Sequence, residues 1–410
     1  MTDFEAKLSK YADLAVQIGV NVQPGQILVV NAPILAADFV RMITAKAYAI
    51  GASLVKVNWS DASITRQQFE HAASEVFTEP PTWYAGEMTE LAEKGAAILN
   101  VIAEDPDALK GIDPVRISNY QKVRGAALTK YREMQMSDKV SWSIVAVPCQ
   151  AWADKVFPNV PAEERVSKLW EAIFHTVRLD REDPVAAWQE HLDTLDQKAN
   201  VLNAKKYKKL HYIAPGTDLS IELPEGHIWA QGDSINAKGH SFVANMPTEE
   251  VFTAPLKTGV NGTVRSTKPL SHGGNIIDGF SITFENGRIV SVSAEQGQEA
   301  LEHLISMDEG AKYLGEVALV PHKSPISESN ILYYNTLFDE NASNHLAIGM
   351  AYAFCLEGGK DMTPDELIAH GLNNSVTHVD FMIGSAEMNI YGITADGTEE
   401  PVFLNGNWAF

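Results

Sequence analysis

The sequence predicts two domains: an α/β N-terminal domain over residues 1–205 and an α+β, strand-rich C-terminal domain over residues 206–410. Three observations lead to this assignment. The chain has 410 residues, 45% of them hydrophobic, which is enough for more than one core. Short apolar runs alternate with helical patterns in the first half of the chain. Alternating strand patterns and turn signals dominate much of the second half.

The first elements follow the order helix, strand, helix, strand. Apolar residues recur at helical spacing from the fourth residue onward, and Gly19 marks the expected end of that helix. The run at 27–30 is wholly apolar, as in a strand covered on both faces. A helical pattern over 38–50 and a second strand over 53–59 follow. We therefore expect a parallel, right-handed crossover.

Later segments complete the two predicted domains. Apolar runs at 97–102 and 141–148 are expected to be further strands of the first domain, and the acidic segment 161–198 is helix-like. In the second domain, the strand patterns at 280–284 and 288–292 flank Asn-Gly, which favours a hairpin because both residues tolerate positive φ. Other segments are assigned by pattern alone: a strand at 218–223 and helices at 299–305 and 344–356.

Composition excludes several kinds of partner. The net charge is −21, from 32 basic and 53 acidic residues, which disfavours nucleic acid and anionic membranes. The two cysteines, Cys149 and Cys355, lie far apart and form no CxxC motif, so we expect a reducing compartment. The start of the chain lacks a signal-peptide pattern, and no 18-residue apolar run occurs. These features predict a cytoplasmic protein.

Carboxylates and imidazoles cluster in apolar settings in the last third of the chain. A buried carboxylate is costly unless a cation or another partner compensates it. Two metal ions about 3.5–4 Å apart need roughly one bridging carboxylate and several terminal ligands. Oxygen and imidazole ligands without thiolates suit Zn, Co or Mn. The candidate residues are Glu249, Glu250, Glu316, Glu340, His345, His378 and Asp380.

Local spacing supports some of these candidates without deciding their role. His378 and Asp380 alternate on an expected strand and share a face, although a histidine–aspartate pair in a core would look the same. Glu316 opens an apolar strand, at its rim or as a buried ligand. Glu249 and Glu250 point oppositely in an extended chain, so at most one of them faces a shared site.

If residues 344–356 form a helix, as their pattern predicts, two further candidate side chains lie close together. His345 would lie in the first turn, after Asn344 or Ser343 as the N-cap, and Tyr352 would follow two turns later on the same face. A phenol would then lie near whatever His345 binds. The alternative is a surface histidine and a core tyrosine, so the run alone does not establish a site.

Four segments, taken in order, resemble a known family. The segments 245–253, 315–318, 341–352 and 378–384 are similar to the thermophilic aminopeptidases, the group of metallo-aminopeptidases that contains aminopeptidase T, aminopeptidase S and PepS. The resemblance spans the whole chain and includes the turn at 23–26. It implies a metal-dependent aminopeptidase that removes N-terminal amino acids from peptides, using water activated by two metal ions held in the C-terminal domain.

The resemblance also implies residue roles and partners. It implies a homodimer, peptide substrates with a free N-terminus, and two divalent ions per subunit. Tyr352 matches the family's proposed catalytic tyrosine. Glu340 matches a position that is either a ligand or a neighbour of the ligands, and either it or Glu249 could act as general base. The positions that match the family's metal ligands are Glu250, Glu316, His345, His378 and Asp380.

Three other functions are compatible with parts of the sequence. Another two-metal amidohydrolase or phosphoesterase could use the same ligand set, because either substrate can be polarised by the metals. A non-catalytic metal-binding protein would need only the ligands. A nucleotide-binding role for the α/β half is disfavoured, since neither GxGxxG nor GxxxxGK[ST] occurs in the chain.

Overall fold

The computed structural model describes residues 2–103, 105 and 107–410, and it contains helices and strands in both halves of the chain. The α-helices are α1 (Asp3–Leu14), α2 (Ala37–Ile50), α3 (Ala62–His71), α4 (Thr82–Glu93), α5 (Pro114–Ala127), α6 (Thr129–Met136), α7 (Gln150–Val156), α8 (Ala162–Thr176), α9 (Pro184–Lys205), α10 (Gln298–Ile305), α11 (Pro325–Ser329), α12 (Thr336–Asp339) and α13 (Pro364–Ala369). None of the helices within these described ranges combines the length and apolarity needed to cross a membrane.

The strands form several sheets. In chain order they are β1 (Ile27–Pro33), β2 (Leu54–Ser60), β3 (Ala97–Ile102), β4 (Trp142–Ala146), β5 (Lys209–Ala214), β6 (Thr217–Glu222), β7 (Ala230–Gln231), β8 (Ser234–Ile235), β9 (Ser241–Phe242), β10 (Val251–Thr253), β11 (Val260–Arg265), β12 (Leu270–His272), β13 (Asn275–Ile277), β14 (Ser281–Glu285), β15 (Arg288–Ser293), β16 (Leu314–Leu319), β17 (His345–Gly349), β18 (His378–Met382), β19 (Asn389–Ile393), β20 (Glu399–Leu404) and β21 (Asn407–Trp408).

The chain divides into two compact units. The first comprises Met1–Glu190 and Asp233–Pro247, and the second comprises His191–Gly232 and Thr248–Phe410. The division lies inside α9, whereas the sequence placed the domain boundary after residue 205. Leu195, Ala199 and Leu202 on α9 belong to the apolar core of the second unit, so most of this helix packs there.

The first unit is built around a parallel four-stranded sheet in the order β2-β1-β3-β4. The parallel pairing of β1 and β2 confirms that part of the expected crossover. One face of the sheet packs Val29 and Ile98 against Met88 of α4 and Tyr131 of α6. The segment 233–247 lies along the free edge of β4, where Asn245 bridges to Ile144 in parallel.

The second unit contains a large antiparallel sheet of eight strands, in the order β15-β14-β11-β6-β5-β19-β20-β21. The predicted hairpin is present between β14 and β15. Its turn residues, Asn286 and Gly287, have φ values of 49° and 82°, the region that this dipeptide tolerates. The prediction of a strand at 218–223 and of a helix at 299–305 is also confirmed, by β6 and α10.

A second sheet of this unit has five strands in the order β18-β17-β16-β10-β7, and every pairing is antiparallel. Val317 on β16 lies opposite Leu346 on β17, which lies opposite Phe381 on β18. All three belong to the core of the unit. Since neighbouring side chains on a strand alternate between faces, the other face of the sheet is available for polar groups.

The prediction of a helix over 344–356 is wrong. Residues His345–Gly349 form the strand β17, which lies between β16 and β18 and is buried throughout. A strand covered on both faces is an unbroken apolar run in the sequence. Hydrophobic periodicity does not distinguish such a run from a buried helix. Met350 continues the extended path, since its N–H donates to the Thr377 carbonyl oxygen.

Candidate metal centre

The candidate ligands share one face of the five-stranded sheet. Glu316 on β16 lies opposite Ala347 on β17, which lies opposite Asp380 on β18. Directly opposed residues of an antiparallel pair point to the same side, and so do residues two positions apart. His345 is two residues before Ala347, and His378 is two residues before Asp380. Three adjacent strands therefore direct two carboxylates and two imidazoles to one side.

Small residues make room for these side chains. Ala318 lies opposite His345, and Gly349 lies opposite His378. Gly315 starts the bulge that precedes Glu316, and a Cβ there would collide with the carbonyl oxygens of Gly349 and Met350. The close approach of these backbones therefore requires glycine at position 315.

The chain before β10 contributes the fifth candidate. Phe252 lies opposite Ala318, so it is on the ligand face, and Glu250 is two residues earlier. Glu249 contacts α9 instead: its Oε2 is 3.6 Å from Nε2 of His191. This confirms that the paired glutamates do not both join one cluster, and it leaves the proposed role of Glu249 as a general base as a prediction.

Four contacts between imidazole rings and carboxylates define two groups of residues, and Glu316 belongs to both. His345 Nε2 is 3.2 Å from Glu250 Oε2 and 3.5 Å from Glu316 Oε1. His378 Nε2 is 3.7 Å from Glu316 Oε2 and 3.4 Å from Asp380 Oδ1. Each group of three could hold one metal ion, and Glu316 belongs to both. One oxygen of its carboxylate faces each imidazole.

The second nitrogen of each imidazole contacts a backbone carbonyl. Nδ1 of His345 is 3.2 Å from the Ser343 oxygen, and Nδ1 of His378 is 2.7 Å from the Met350 oxygen. A carbonyl can only accept, so Nδ1 carries a proton in both rings, and Nε2 can bind a cation when it is deprotonated. His345 Nε2 and Asp380 Oδ1 are buried without a hydrogen bond to any described group. This donor set fits divalent metal ions.

The electrostatics of the cluster favour a bound cation. Burial raises the pKa of Glu316, as do Asp380 and Glu250, against the opposing effect of the two histidines. Burial lowers the pKa of His378, but Asp380 and Glu316 outweigh it and raise that pKa to about 9. The carboxylates therefore create a strongly negative potential at a site that is almost closed to water, and positive charge placed there is stabilised.

Glu340 lies beside the cluster but in neither group of three. Burial raises the pKa of its carboxyl well above the ordinary value, and the charges of Asp380 and Glu250 raise it further. The next residue, Asn341, is fully buried, and its side chain links the segment just before β10 to α12. Its side-chain oxygen accepts from the Glu249 N–H at 2.7 Å, and its amide donates to the Leu337 carbonyl at 3.1 Å.

Tyr352 lies beside the cluster as predicted from the sequence, but it follows the strand β17 and is not on a helix with His345. Its ring centroid lies 4.9 Å from that of His378, and it stacks on Phe354 at 5.3 Å. Burial and the surrounding carboxylates raise the pKa of the phenol well above its ordinary value, so it stays protonated at neutral pH. Gly349, the last residue of β17, has a φ of 111°, which favours glycine, and the chain continues from it toward Tyr352.

Several supporting groups have roles that the sequence did not predict, and Asn344 and Ser343, expected as the N-cap of a helix, instead precede the strand β17. Asn341 holds Glu249, and Asn344 accepts from the Val320 N–H at 2.9 Å through its side-chain oxygen. The carbonyls of Ser343 and Met350 orient the imidazoles. The two asparagines lie within the segment 341–352, but nothing in a sequence distinguishes a buried amide from an exposed one. The carbonyl contacts depend on the backbone path of β17.

Comparison with known proteins places the chain in a family. The family model of the thermophilic metalloproteases (M29) matches residues 4–408. The chain is 57% identical to aminopeptidase AmpS of Bacillus subtilis (strain 168) over the full length of both. It is 53% identical to aminopeptidase 2 of Geobacillus stearothermophilus, covering 100% of this chain and 99% of that protein.

The chain belongs to the thermophilic metalloprotease (M29) family. The structure of wild-type AmpT from Thermus thermophilus superimposes with a TM-score of 0.93 at 42% identity, covering 99% of this chain and 100% of that one. The predicted resemblance is confirmed. Membership in the M29 family makes the chain a hydrolase with a divalent metal cofactor, and the face of the sheet with the two groups of three is the candidate site for it.

Proposed function

We propose that this M29 member removes N-terminal amino acids from peptides at two metal sites that share Glu316. The relatives named above are aminopeptidases, and this chain, with 57% identity to one of them over its whole length, is a metal-dependent aminopeptidase. The observation that carries the two-metal proposal is the position of Glu316. Its two oxygens face different imidazoles, His345 at 3.5 Å and His378 at 3.7 Å.

The proposed ligands divide between the two positions. Glu250 and His345 would hold one ion, His378 and Asp380 would hold the other, and Glu316 would serve both. Bound divalent cations supply an activated water and polarise the carbonyl of the bond to be cleaved. Zn, Co and Mn all suit carboxylate and imidazole donors, so we propose two ions of this kind per subunit.

The remaining polar groups have proposed roles in proton transfer and charge stabilisation. Tyr352 keeps its proton at neutral pH and can donate it in a hydrogen bond to the oxyanion that develops on the substrate. The general base remains either Glu340 or Glu249. Glu340 interacts electrostatically with Glu250 and Asp380, which favours it on position, whereas Glu249 contacts His191. Glu340 would otherwise serve as an additional ligand.

We also propose a homodimer that resides in the cytoplasm. The homodimer rests on the family resemblance, and sedimentation velocity would test it. The cytoplasmic location is supported by Cys149 and Cys355, which are not joined to each other and suit a reducing compartment. The excess of negative charge, −21, agrees with small peptides rather than nucleic acid or anionic membrane as partners.

Turnover of paired substrates tests the function. The protein is freed of metal, reloaded with zinc, cobalt or manganese, and assayed with an aminoacyl-p-nitroanilide and its N-acetylated form. We expect hydrolysis of the free amine substrate alone, and only after reloading. His345→Ala should lose at least a hundredfold in kcat/KM. His303→Ala is the matched control, since His303 is an exposed histidine on α10 in the same unit.

The same assay separates the alternatives. Equal hydrolysis of the acetylated substrate would indicate a general amidohydrolase, and turnover of a phosphate ester alone would indicate a phosphoesterase. Bound metal without turnover of any peptide would indicate a metal-binding protein. Undiminished turnover in His345→Ala with metal supplied would refute the proposed site even if the aminopeptidase activity itself is observed.

A further inference from the structure

Three asparagines lie side by side near the carboxyl ends of the parallel strands in the first unit. Asn31 on β1 is in register with Asn58 on β2 and with Asn100 on β3. Asparagine is unfavourable within strands, so three at one level of a sheet need an explanation. Ligands of open parallel sheets bind outside the carboxyl ends of the strands, where the strand order reverses. The order β2-β1-β3-β4 places that reversal between β1 and β3.

The asparagine side chains form a hydrogen-bonded row with a fixed direction. Lys56 donates to the Asn58 oxygen, the Asn58 amide donates to the Asn31 oxygen at 2.9 Å, and the Asn31 amide donates to the Asn100 oxygen at 2.9 Å. An ammonium group can only donate, so each amide in the row is oriented by the one before it. The row therefore ends in the NH₂ group of Asn100, which donates to no group among the described residues.

A cavity of about 470 Å³ opens over this row. Its walls include Trp59, Trp83, Tyr84 and Tyr120, and Trp83 is 77% exposed. Arg124 lines the same cavity, with its guanidinium 5.6 Å from the Tyr84 ring centre and no described carboxylate paired with it. The volume and the aromatic lining fall in the range typical of small-molecule sites. The groups facing the cavity thus combine aromatic surface with donors.

We infer that this cavity binds the carboxylate end of an aromatic amino acid or peptide, at a site separate from the metal centre. The Asn100 NH₂ and the Arg124 guanidinium both donate, so the matching group on the ligand accepts hydrogen bonds and carries negative charge. Lys56, which donates to the first asparagine of the row, already pairs with Glu87 at 3.2 Å. Arg124 is the one cation among the described residues that line the cavity, and one positive charge suits a monoanion such as a carboxylate better than a doubly charged phosphate. The aromatic walls receive the ligand's ring.

Calorimetric titration of the metal-loaded protein tests this site. N-Acetylphenylalanine carries the carboxylate and cannot be an aminopeptidase substrate, and N-acetylphenylalaninamide is the same molecule without the charge. We expect the acid to bind at least tenfold more tightly than the amide. Asn100→Asp keeps an oxygen that accepts from Asn31 but replaces the outward donor with an anion. It should weaken binding of the acid at least tenfold.

Two further variants control the interpretation. Arg124→Gln should also weaken the acid at least tenfold, while Arg132→Gln, at an exposed position on α6 outside the cavity lining, should leave it unchanged. All three variants should retain wild-type hydrolysis of an aminoacyl-p-nitroanilide. Equal affinity for acid and amide, no detectable binding at millimolar concentration, or insensitivity to both Asn100→Asp and Arg124→Gln would overturn the inference.

Comparison with free phenylalanine identifies the source of the ligand. Tighter binding of phenylalanine than of its acetylated form would assign the cavity to a free amino acid. Equal or tighter binding of the acetylated form would assign it to the carboxyl end of a peptide. Either result supports the site, and neither depends on turnover at the metal centre.

Discussion

Glu316 is the residue on which the candidate centre depends most. It is buried on a strand whose neighbours supply both histidines, and each of its oxygens faces a different one. Without compensation, a carboxylate in such a place is destabilising, because burial penalises the charged form. Two cations would remove that penalty while using both oxygens. This geometry is the reason for proposing a bridging role and not a terminal one.

Replacement of Glu316 should therefore affect both ions. Glu316→Gln keeps the size of the side chain but removes the charge, and we expect metal analysis after zinc loading to find neither site full. Glu250→Gln is the matched comparison, since Glu250 belongs to one group alone and its loss should empty one site. Equal metal loss in the two variants would contradict the bridging role.

Tyr352 is expected to act on the substrate and not on the metals. Tyr352→Phe removes the O–H and preserves the stacking on Phe354. We predict a fall in kcat of about 10²–10³, the usual effect of losing one donor to a developing oxyanion. Zinc content should stay at the wild-type value. A loss of bound zinc together with activity would instead assign Tyr352 to the metal site itself.

At the scale of elements, adjacent strands explain how distant residues converge. The sequence predicted a strand at Glu316 and another at His378 and Asp380, and both are present as β16 and β18. It predicted a helix where β17 lies, because Leu346, Ala347 and Ile348 suit either element and all are buried. His345 reaches the site through strand pairing with Ala318, and sequence periodicity does not reveal which strands pair.

The candidate residues were easier to predict than the contacts that hold them. Glu249 and Glu250 could be separated by strand alternation alone, and the structure places them apart. The role of Asn341 in holding the Glu249 N–H could not be found this way, because it depends on a partner 92 positions away. Long-range packing decides such contacts, and no local pattern encodes them.

The close approach at Gly315 gives a prediction for the sheet. Gly315→Ala would place a methyl group against the carbonyl oxygens of Gly349 and Met350, so β16 and β17 must separate. Overpacking of this kind typically costs about 1–3 kcal/mol. We expect a lower Tm by calorimetry and weaker zinc binding. Gly86→Ala is the control: Gly86 lies on α4 outside the left-handed φ region and has nothing within 4 Å of its Cβ position, so this variant's Tm should not fall. A Tm of Gly315→Ala equal to wild type would contradict the tight packing.

At the scale of the whole molecule, metal binding and stability are coupled. Five ionisable side chains of the second unit converge at a site that is almost closed to water. Metal ions that bind only to the folded state stabilise that state by mass action. At a free metal concentration about one hundred times Kd, one site contributes about 2.7 kcal/mol. The folded protein should therefore depend on metal for part of its stability.

Chelation should lower the thermal stability of the second unit. We expect a calorimetric scan in EDTA to show a reduced Tm that zinc restores, and we expect zinc to restore only part of that Tm in His345→Ala, because His345 belongs to one group alone. His303→Ala should behave as wild type. An identical Tm for the metal-loaded and chelated wild-type proteins would show that bound cations do not stabilise the folded state. That result would contradict the expected coupling between metal binding and stability.

Anomalous diffraction from crystals loaded with zinc tests the two-metal centre most directly, because it locates each ion without reference to activity. Data collected on both sides of the zinc absorption edge should show two peaks per chain, one beside His345 and one beside His378, with the Glu316 carboxylate between them. A single peak, or two peaks away from Glu316, would contradict the shared site.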